Sequence, residues 1–326
     1  MRGPLTATEF MKEFIIGPND AAQRLDKFVL KATTGLPKSL LYKAIRTKKI
    51  KVNRKRCEIG QILQEGDSVQ MFLAPDFFGE REERFLTLTP NLSVVYEDEN
   101  IILCDKRAGM IVHSDDKEST NTLISHITAY LYQKGEYDPA KENSFAPALC
   151  NRIDRNTGGI VIAAKNAEAL RVMNEKIKND EISKFYYCVV HGKMPKKSDT
   201  LTGFLLKDSD KNQVKIFDKQ VKGSKNIITK YKVVSEKNGM SLLEIELVTG
   251  RTHQIRAHMS YIGHPLLGDG KYGVNKDDRA RGYKYQALYA YRLRFDFDDN
   301  SGALGYLKGK EVKLSQDDVW FLKDFI

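Results

Sequence analysis

Cysteine is scarce in this chain of 326 residues, with Cys57, Cys104, Cys150 and Cys188 standing far apart and no Cys-x-x-Cys pair. That scarcity excludes a disulfide framework and a cysteine-based zinc site. Cys104 and Cys188 lie inside strand-like apolar runs, so the set reads as reduced, buried thiols of a cytoplasmic protein. Long apolar runs are also missing, and without a stretch of membrane-spanning length no membrane partner is expected. The opening Met1-Arg2-Gly3-Pro4-Leu5 lacks the apolar core of a secretory signal. Gly158-Gly159 and Gly268–Gly270 come without a phosphate-loop lysine or a Gly-x-Gly-x-x-Gly pattern, so no nucleotide cofactor is expected. His253, His258 and His264 are spaced by five and six residues, not four, and no acidic base sits between them. No metal is expected either.

What the chain has is positive charge. The net charge is +10, and the stretch from Asp20 to Phe72 holds 12 Lys/Arg against 5 Asp/Glu. A basic face this dense is the footprint of a polyanion, and RNA is the expected partner.

Two polar runs carry the chemistry. In Asn151-Arg152-Ile153-Asp154-Arg155-Asn156-Thr157-Gly158-Gly159 a carboxylate stands between two arginines, just before the apolar Ile160–Ala164 stretch. The glycine pair lets another backbone or a ligand come close. Asp154 could be a structural ion-pair partner, or an ionised carboxylate held ready as nucleophile or base. Further on, Thr249-Gly250-Arg251-Thr252-His253-Gln254-Ile255-Arg256-Ala257-His258 leads to Gly263-His264-Pro265-Leu266-Leu267-Gly268-Asp269. Arg251 and Arg256 are fixed cations suited to phosphate or carboxylate.

Together these runs resemble the two main blocks of the RluA-type pseudouridine synthases, His-Arg-Leu-Asp-x-x-Thr-Ser-Gly and Gly-Arg-Thr-His-Gln-Ile-Arg. Tyr96–Lys106, continuing to His113, resembles that family's first block. Lys184-Phe185-Tyr186 resembles its Lys-x-Tyr strand. The chain departs from the pattern at Asn151 (usually His), at Thr157-Gly158-Gly159 (usually Thr-Ser-Gly) and at Arg107 (usually Pro). Asn151 can hydrogen-bond but carries no charge, and the extra glycine is expected to loosen the backbone beside Asp154.

The resemblance implies isomerisation of uridine to pseudouridine, a reaction in which uracil leaves C1′, turns, and rejoins through C5. No group is lost and no redox change occurs, so no cofactor is called for. It implies Asp154 as the carboxylate that attacks uracil C6 or sugar C1′, Arg256 as its guanidinium partner, with Arg152 or Arg251 as the second candidates for that electrostatic job, and Tyr186 as the active-site tyrosine. The tyrosine would stack on the extruded uracil and serve in later proton removal from C5. Tyr187 should point to the opposite face of the strand. Arg152, Arg155, Arg251 and His253 are candidates for gripping RNA phosphates around the extruded base.

Residues 21–73 read as helix, turn, helix and short strands, with Asp20 as N-cap of the first helix and Leu40 opening the second. With Arg24-Leu25-Asp26 and Lys51-Val52-Asn53, this segment is similar to an S4-type RNA-binding domain. The similarity implies that Lys43, Arg46, Lys48, Lys49, Lys51 and Arg54 face RNA phosphates, supplying affinity more than sequence reading. Residues 75–89 read as a linker whose Phe77 and Phe78 dock on something. Beyond it, strands are expected at 92–96, 101–104, 160–164, 185–190, 227–234, 242–248 and 289–295. Helices are expected at 121–134, 167–179 and 256–262, with polar loops or a hairpin over 195–225. This is an α+β pattern, and the resemblance implies a pseudouridine synthase fold: a mostly antiparallel mixed sheet flanked by helices and loops, preceded by a small S4-like α/β domain. The expected layout is an RNA-binding domain at 1–74, a linker at 75–89 and a catalytic domain at 90–326. The expected protein is a monomer acting on structured RNA, above all that of the large ribosomal subunit. Transfer RNA is the nearest alternative substrate, and a non-catalytic RNA-binding or ribosome-assembly factor the alternative class.

Overall fold

The computed structural model describes residues 10–79, 84–112, 121–208, 212–298 and 301–326. Met1 to Leu5, residues 80–83 of the expected linker, and His113 lie outside them. The chain forms two compact units, Met1–Thr89 with Thr128–Pro147 and Lys165–Glu168, and Pro90–Ile127 with Ala148–Ala164 and Ala169–Ile326.

The first unit holds β1 (Phe10–Ile15), α1 (Leu25–Ala32), α2 (Lys38–Arg46), β2 (Ile50–Val52), β3 (Lys55–Arg56) and β4 (Ser68–Leu73), with the sheet ordered β1-β4-β2-β3. Phe28, Leu25, Leu41, Ile50 and Met71 close its core. Phe77 and Phe78 pack against that core, and the Phe78 ring lies 5.8 Å from Phe10. The expected docking of these two rings is therefore met. Two expectations fail here. Arg24, in extended conformation, precedes α1 as its N-cap. Asp20 is instead buried and accepts from Asn143 Nδ2 at 2.7 Å and Ser144 Oγ at 2.5 Å. A distant polar pair satisfies the carboxylate better than a helix terminus several residues away. The second helix starts at Lys38, because Pro37 fixes the φ suited to the residue before a helix.

The second unit is built on β5 (Val94–Glu97), β6 (Ile101–Lys106), α3 (Leu123–Gln133, which ends in the first unit), β7 (Ala148–Leu149), β8 (Gly158–Ala164), α4 (Ala167–Lys178), β9 (Ile182–His191), β10 (Ser198–Asp208), β11 (Gln213–Phe217), β12 (Lys225–Lys237), β13 (Met240–Leu247), α5 (Gln254–Tyr261), α6 (Lys276–Ala280), β14 (Leu288–Phe295) and β15 (Glu311–Lys313). Its sheet runs β11-β10-β12-β13-β9-β14-β8-β6-β5, with β7 on β8 and β15 on β14. Pairings are antiparallel except that of β14 with β8. The polar 195–225 stretch is the β10–β11 hairpin. Every residue of β8 is buried, as its uninterrupted apolar run requires, and Tyr187 stacks on Tyr291 at 3.9 Å inside the core. No helix of the described residues is long and apolar enough to cross a membrane.

The parallel β14–β8 contact explains the glycine pair and corrects the idea of a loosened backbone. Tyr289 is registered with Gly158 and Ala290 with Gly159. A Cβ on Gly158 would lie 2.3 Å from the Tyr289 ring, and one on Gly159, at φ +119°, would lie 2.2 Å from the Ala290 carbonyl oxygen. Both glycines are buried strand residues that admit a neighbouring backbone. Gly159→Ala should lower unfolding free energy by about 4 kcal/mol, a value reached only through core clash or backbone strain. Urea denaturation measures this directly, and a loss within ordinary surface-mutation range would contradict the packing.

Candidate active site

Asp154 sits in the loop between β7 and β8, and three other segments converge on it. The first is the turn entering α5. Gln254 anchors it, donating from Nε2 to the Ile228 carbonyl (3.1 Å) and Thr229 Oγ1 (3.0 Å), while its Oε1 accepts from the Arg251 amide and Thr249 Oγ1. This fixes the start of α5 on β12. Arg256 then emerges from the first turn of the helix, buried beneath the Asp154 loop.

Arg256 is a three-way clasp. Its Nε donates to Asp269 Oδ2 at 2.7 Å and its Nη2 to Asp269 Oδ1 at 2.9 Å, while Nη1 donates to Asp154 Oδ2 at 2.7 Å. The Tyr272 ring covers the guanidinium at 5.3 Å. Asp269 has no exposed side-chain surface, whereas Asp154 keeps 24% of its own. Burial pushes the Asp269 carboxyl upward, but the hydrogen bonds and charge of Arg256 outweigh it and hold the group below its ordinary range. A bidentate carboxylate thus fixes the guanidinium plane and leaves one N–H for Asp154.

His253 is placed beside the same carboxylate and away from open solvent. It adopts a left-handed conformation (φ 53°), and its Nε2 lies 3.8 Å from Asp154 Oδ2. Tyr272 OH accepts from the Val214 amide at 2.9 Å and pairs with His253 Nδ1 at 2.9 Å. Tyr272 thus holds the ring by Nδ1, and Nε2 is the ring nitrogen that faces Asp154. Burial lowers the imidazole pKa, with Asp154 opposing, in keeping with a neutral ring.

The second segment is Lys106 to Gly109. Lys106 is fully buried and donates from Nζ to the carbonyls of Arg107 (3.0 Å), Met110 (2.9 Å) and Arg155 (2.9 Å). Burial pulls its pKa down to about 7, yet three acceptors match the three donors of an ammonium. Arg155 Nε donates to the Gly109 carbonyl, whose own amide donates to the Arg155 carbonyl. The loop that carries Asp154 is held from below. Asn151 contributes as well, its Oδ1 accepting from the Ile162 amide at 2.7 Å.

The third segment is β9, where Tyr186 is 6% exposed and lines the cavity above Asp154. Burial first, and the Asp154 charge second, push its phenol far up. The cavity has a volume of about 580 Å³, within the range that takes a nucleoside. Arg152, Arg155, Lys184, Lys207 and Arg251 line it with Asp154 as the carboxylate among the described lining residues. Asp154, Tyr186, Arg256, Arg152, Arg155, Arg251 and His253 are thus brought together. Sequence reasoning gave no role to Asp269, Tyr272, Gln254 or Lys106. The Gly268-Asp269 step downstream of α5 was the available signal for Asp269. His258 instead meets Thr229 Oγ1, and His264 the His191 carbonyl. Among the described residues no group of His, Cys, Asp or Glu could hold a metal ion.

In the first unit, Lys43, Arg46, Lys48, Lys49 and Arg54 are exposed and Lys51 half-buried, its ammonium over the Phe72 ring at 5.4 Å. Lys43 and Arg46 line a groove with Tyr42 and Arg56.

Comparison with known proteins adds to this geometry. The family model described as RNA pseudouridylate synthase matches residues 100–261, and that of the S4 domain matches residues 23–69. An uncharacterised RNA pseudouridine synthase of Mycoplasma genitalium is 32% identical over 87% of this chain and 88% of its own length. Ribosomal large subunit pseudouridine synthase C of Salmonella typhi is 31% identical over 89% of this chain and 90% of its own. Among solved structures, human RNA pseudouridylate synthase domain containing 1 shares the fold with a TM-score of 0.52 and 22% identity, covering 71% of this chain and 95% of that one. The chain belongs to the RNA pseudouridine synthase family and is an RNA-modifying isomerase carrying an S4 RNA-binding domain.

Proposed function

We propose that this enzyme isomerises defined uridines of large-subunit ribosomal RNA, with Asp154 as the nucleophile. The observation carrying this reading is the Asp154–Arg256 hydrogen bond of 2.7 Å at the floor of a cationic cavity. The choice of RNA is supported by the relatives named ribosomal large subunit pseudouridine synthase C.

The target base leaves its stack and enters beside Tyr186, while arginines at the rim take the phosphates. Asp154 presents Oδ2 to Arg256 and directs its other oxygen at the reacting carbon. As negative charge leaves the carboxylate, the guanidinium stays in place because Asp269 holds it, so no reorganisation accompanies the step. Tyr186 needs no ionisation to stack on uracil. To accept the C5 proton it would have to be the sparsely populated phenolate. Residues 1–74 serve as the RNA-binding domain, tethered through 75–89 to the catalytic domain at 90–326.

Pseudouridine mapping of large-subunit ribosomal RNA from cells with and without this protein tests the substrate. Sites lost on deletion should be restored by the wild-type gene, and an unchanged ribosomal map would refute the assignment. The basic face is tested separately. Replacing Lys43, Arg46 and Lys48 by Ala should weaken RNA binding and reduce the slope of log K against log salt by about 2 to 3. Turnover at saturating RNA should hold, and an unaltered slope would remove this face from RNA binding.

A further inference from the structure

The lysine of the Lys-x-Tyr strand stands outside the Asp154–Arg256–Asp269 clasp, and its surroundings point to a role of its own. Lys184 lies two residues before Tyr186 on β9, and both line the same cavity. Residues i and i+2 share a strand face about 6.6 Å apart. Its ammonium reaches the backbone of Gly250, where an added Cβ would lie 3.9 Å from Nζ. It therefore borders the mouth of the cavity next to Arg251, while Tyr186 borders the floor next to Asp154.

The fully buried lysines of this unit are satisfied, whereas Lys184 is half-buried. Lys106 donates to three carbonyls, and Lys176 pairs with Glu181 at 2.8 Å. Among the described residues Lys184 has neither an ion-pair nor a hydrogen-bond partner, only a through-space attraction from Asp180. Loss of hydration lowers its pKa, with the Asp180 charge opposing. A half-buried cation without a hydrogen-bonded partner has lost part of its hydration, and an anionic ligand would offset that loss. Uracil is neutral and can offer only a carbonyl dipole. The phosphodiester joined to its ribose carries a full negative charge, to which lysine binds as a point charge.

We propose that Lys184 is a phosphate-anchoring residue for the target nucleotide, engaging the phosphodiester that flanks the extruded uridine. This rests on the reading of the Asp154 cavity as the reaction site and adds to it which side chain positions the nucleotide backbone. Lys184 acts on the reaction by holding the ribose over Asp154.

The test uses the full-length enzyme and the shortest ribosomal RNA fragment it modifies, prepared with a neutral methylphosphonate at single linkages. Lys184→Met should raise KM about tenfold and reduce the salt slope by roughly one phosphate contact. Its melting temperature should stay level or rise, because a half-buried charge without a hydrogen-bonded partner has been removed. Lys184→Arg should recover most of the affinity. A methylphosphonate at one linkage beside the target should weaken the wild type but leave Lys184→Met no weaker than it already is. A wild-type KM and salt slope in Lys184→Met, or equal methylphosphonate penalties in both proteins, would overturn the proposal. So would a lowered melting temperature that Lys184→Arg does not repair, since the lysine would then be structural. Asp154→Asn run in parallel separates the two readings. If it is inactive while Lys184→Met is normal, only the anchor is lost. If it remains active, the reaction site itself has been misassigned.

Discussion

Asp154→Asn should bring tritium release from C5-labelled uridine in RNA down by at least about 10³-fold, the scale on which loss of a nucleophile is measured. RNA binding should survive. Asparagine fills the same space, and its carbonyl oxygen can still accept from Arg256 Nη1, which in wild type reaches Asp154 at 2.7 Å. Nor should the fold suffer. Arg256 keeps its bidentate bond to Asp269, so no buried charge is left without a partner. Loss of chemistry with binding and melting temperature intact is therefore the expected signature. A variant retaining more than about a tenth of the wild-type rate would be incompatible with a nucleophilic role.

Arg256→Met should harm both stability and turnover. It leaves Asp269, whose side chain is fully enclosed, with only the amides of Lys271 and Tyr272. Breaking a buried pair in this way costs about 3–5 kcal/mol. The pH dependence follows from the sign of the Asp269 shift. In wild type the folded carboxyl is held below its unfolded value, so its contribution is present at neutral pH and fades as pH falls through the folded value. In the variant, burial without a cation raises the folded value above the unfolded one. The stability gap from wild type should then be widest near neutrality and narrow on acidification, as Asp269 takes up a proton. Arg256→Met combined with Asp269→Leu should regain stability but not activity. Thermal melts between about pH 3 and 8 follow both variants across a range that brackets the ordinary carboxylate value. A gap that stayed constant with pH would show that Asp269 does not depend on Arg256.

How much of this could be read beforehand depended on the range of the interaction. Apolar runs such as Ile160–Ala164 and the alternation in β12 marked their strands because side-chain period is local. β1 was missed: only Phe14 of its six residues is buried, so an edge strand carried almost no alternation. Asp20 had the appearance of a helix cap, but its partners lie more than a hundred positions away. The site shows the same division. The Asp154 and Arg256 runs were visible as motifs, and family resemblance linked them. Asp269 went without a role, because a Gly-Asp step reads as a turn until a buried guanidinium is found against it. His253 stood out in the sequence as a candidate phosphate grip, whereas its left-handed backbone and its Tyr272 contact are matters of tertiary packing.

Asp154 and Arg256 meet across 102 positions, and Asp269, 13 further on, clamps the second of them. During translation, then, a chain that has not yet released Asp269 from the ribosomal tunnel cannot complete the Asp154–Arg256–Asp269 clasp. The S4 segment emerges long before that point. Nascent protein can therefore meet RNA before the clasp that holds Asp154 has formed.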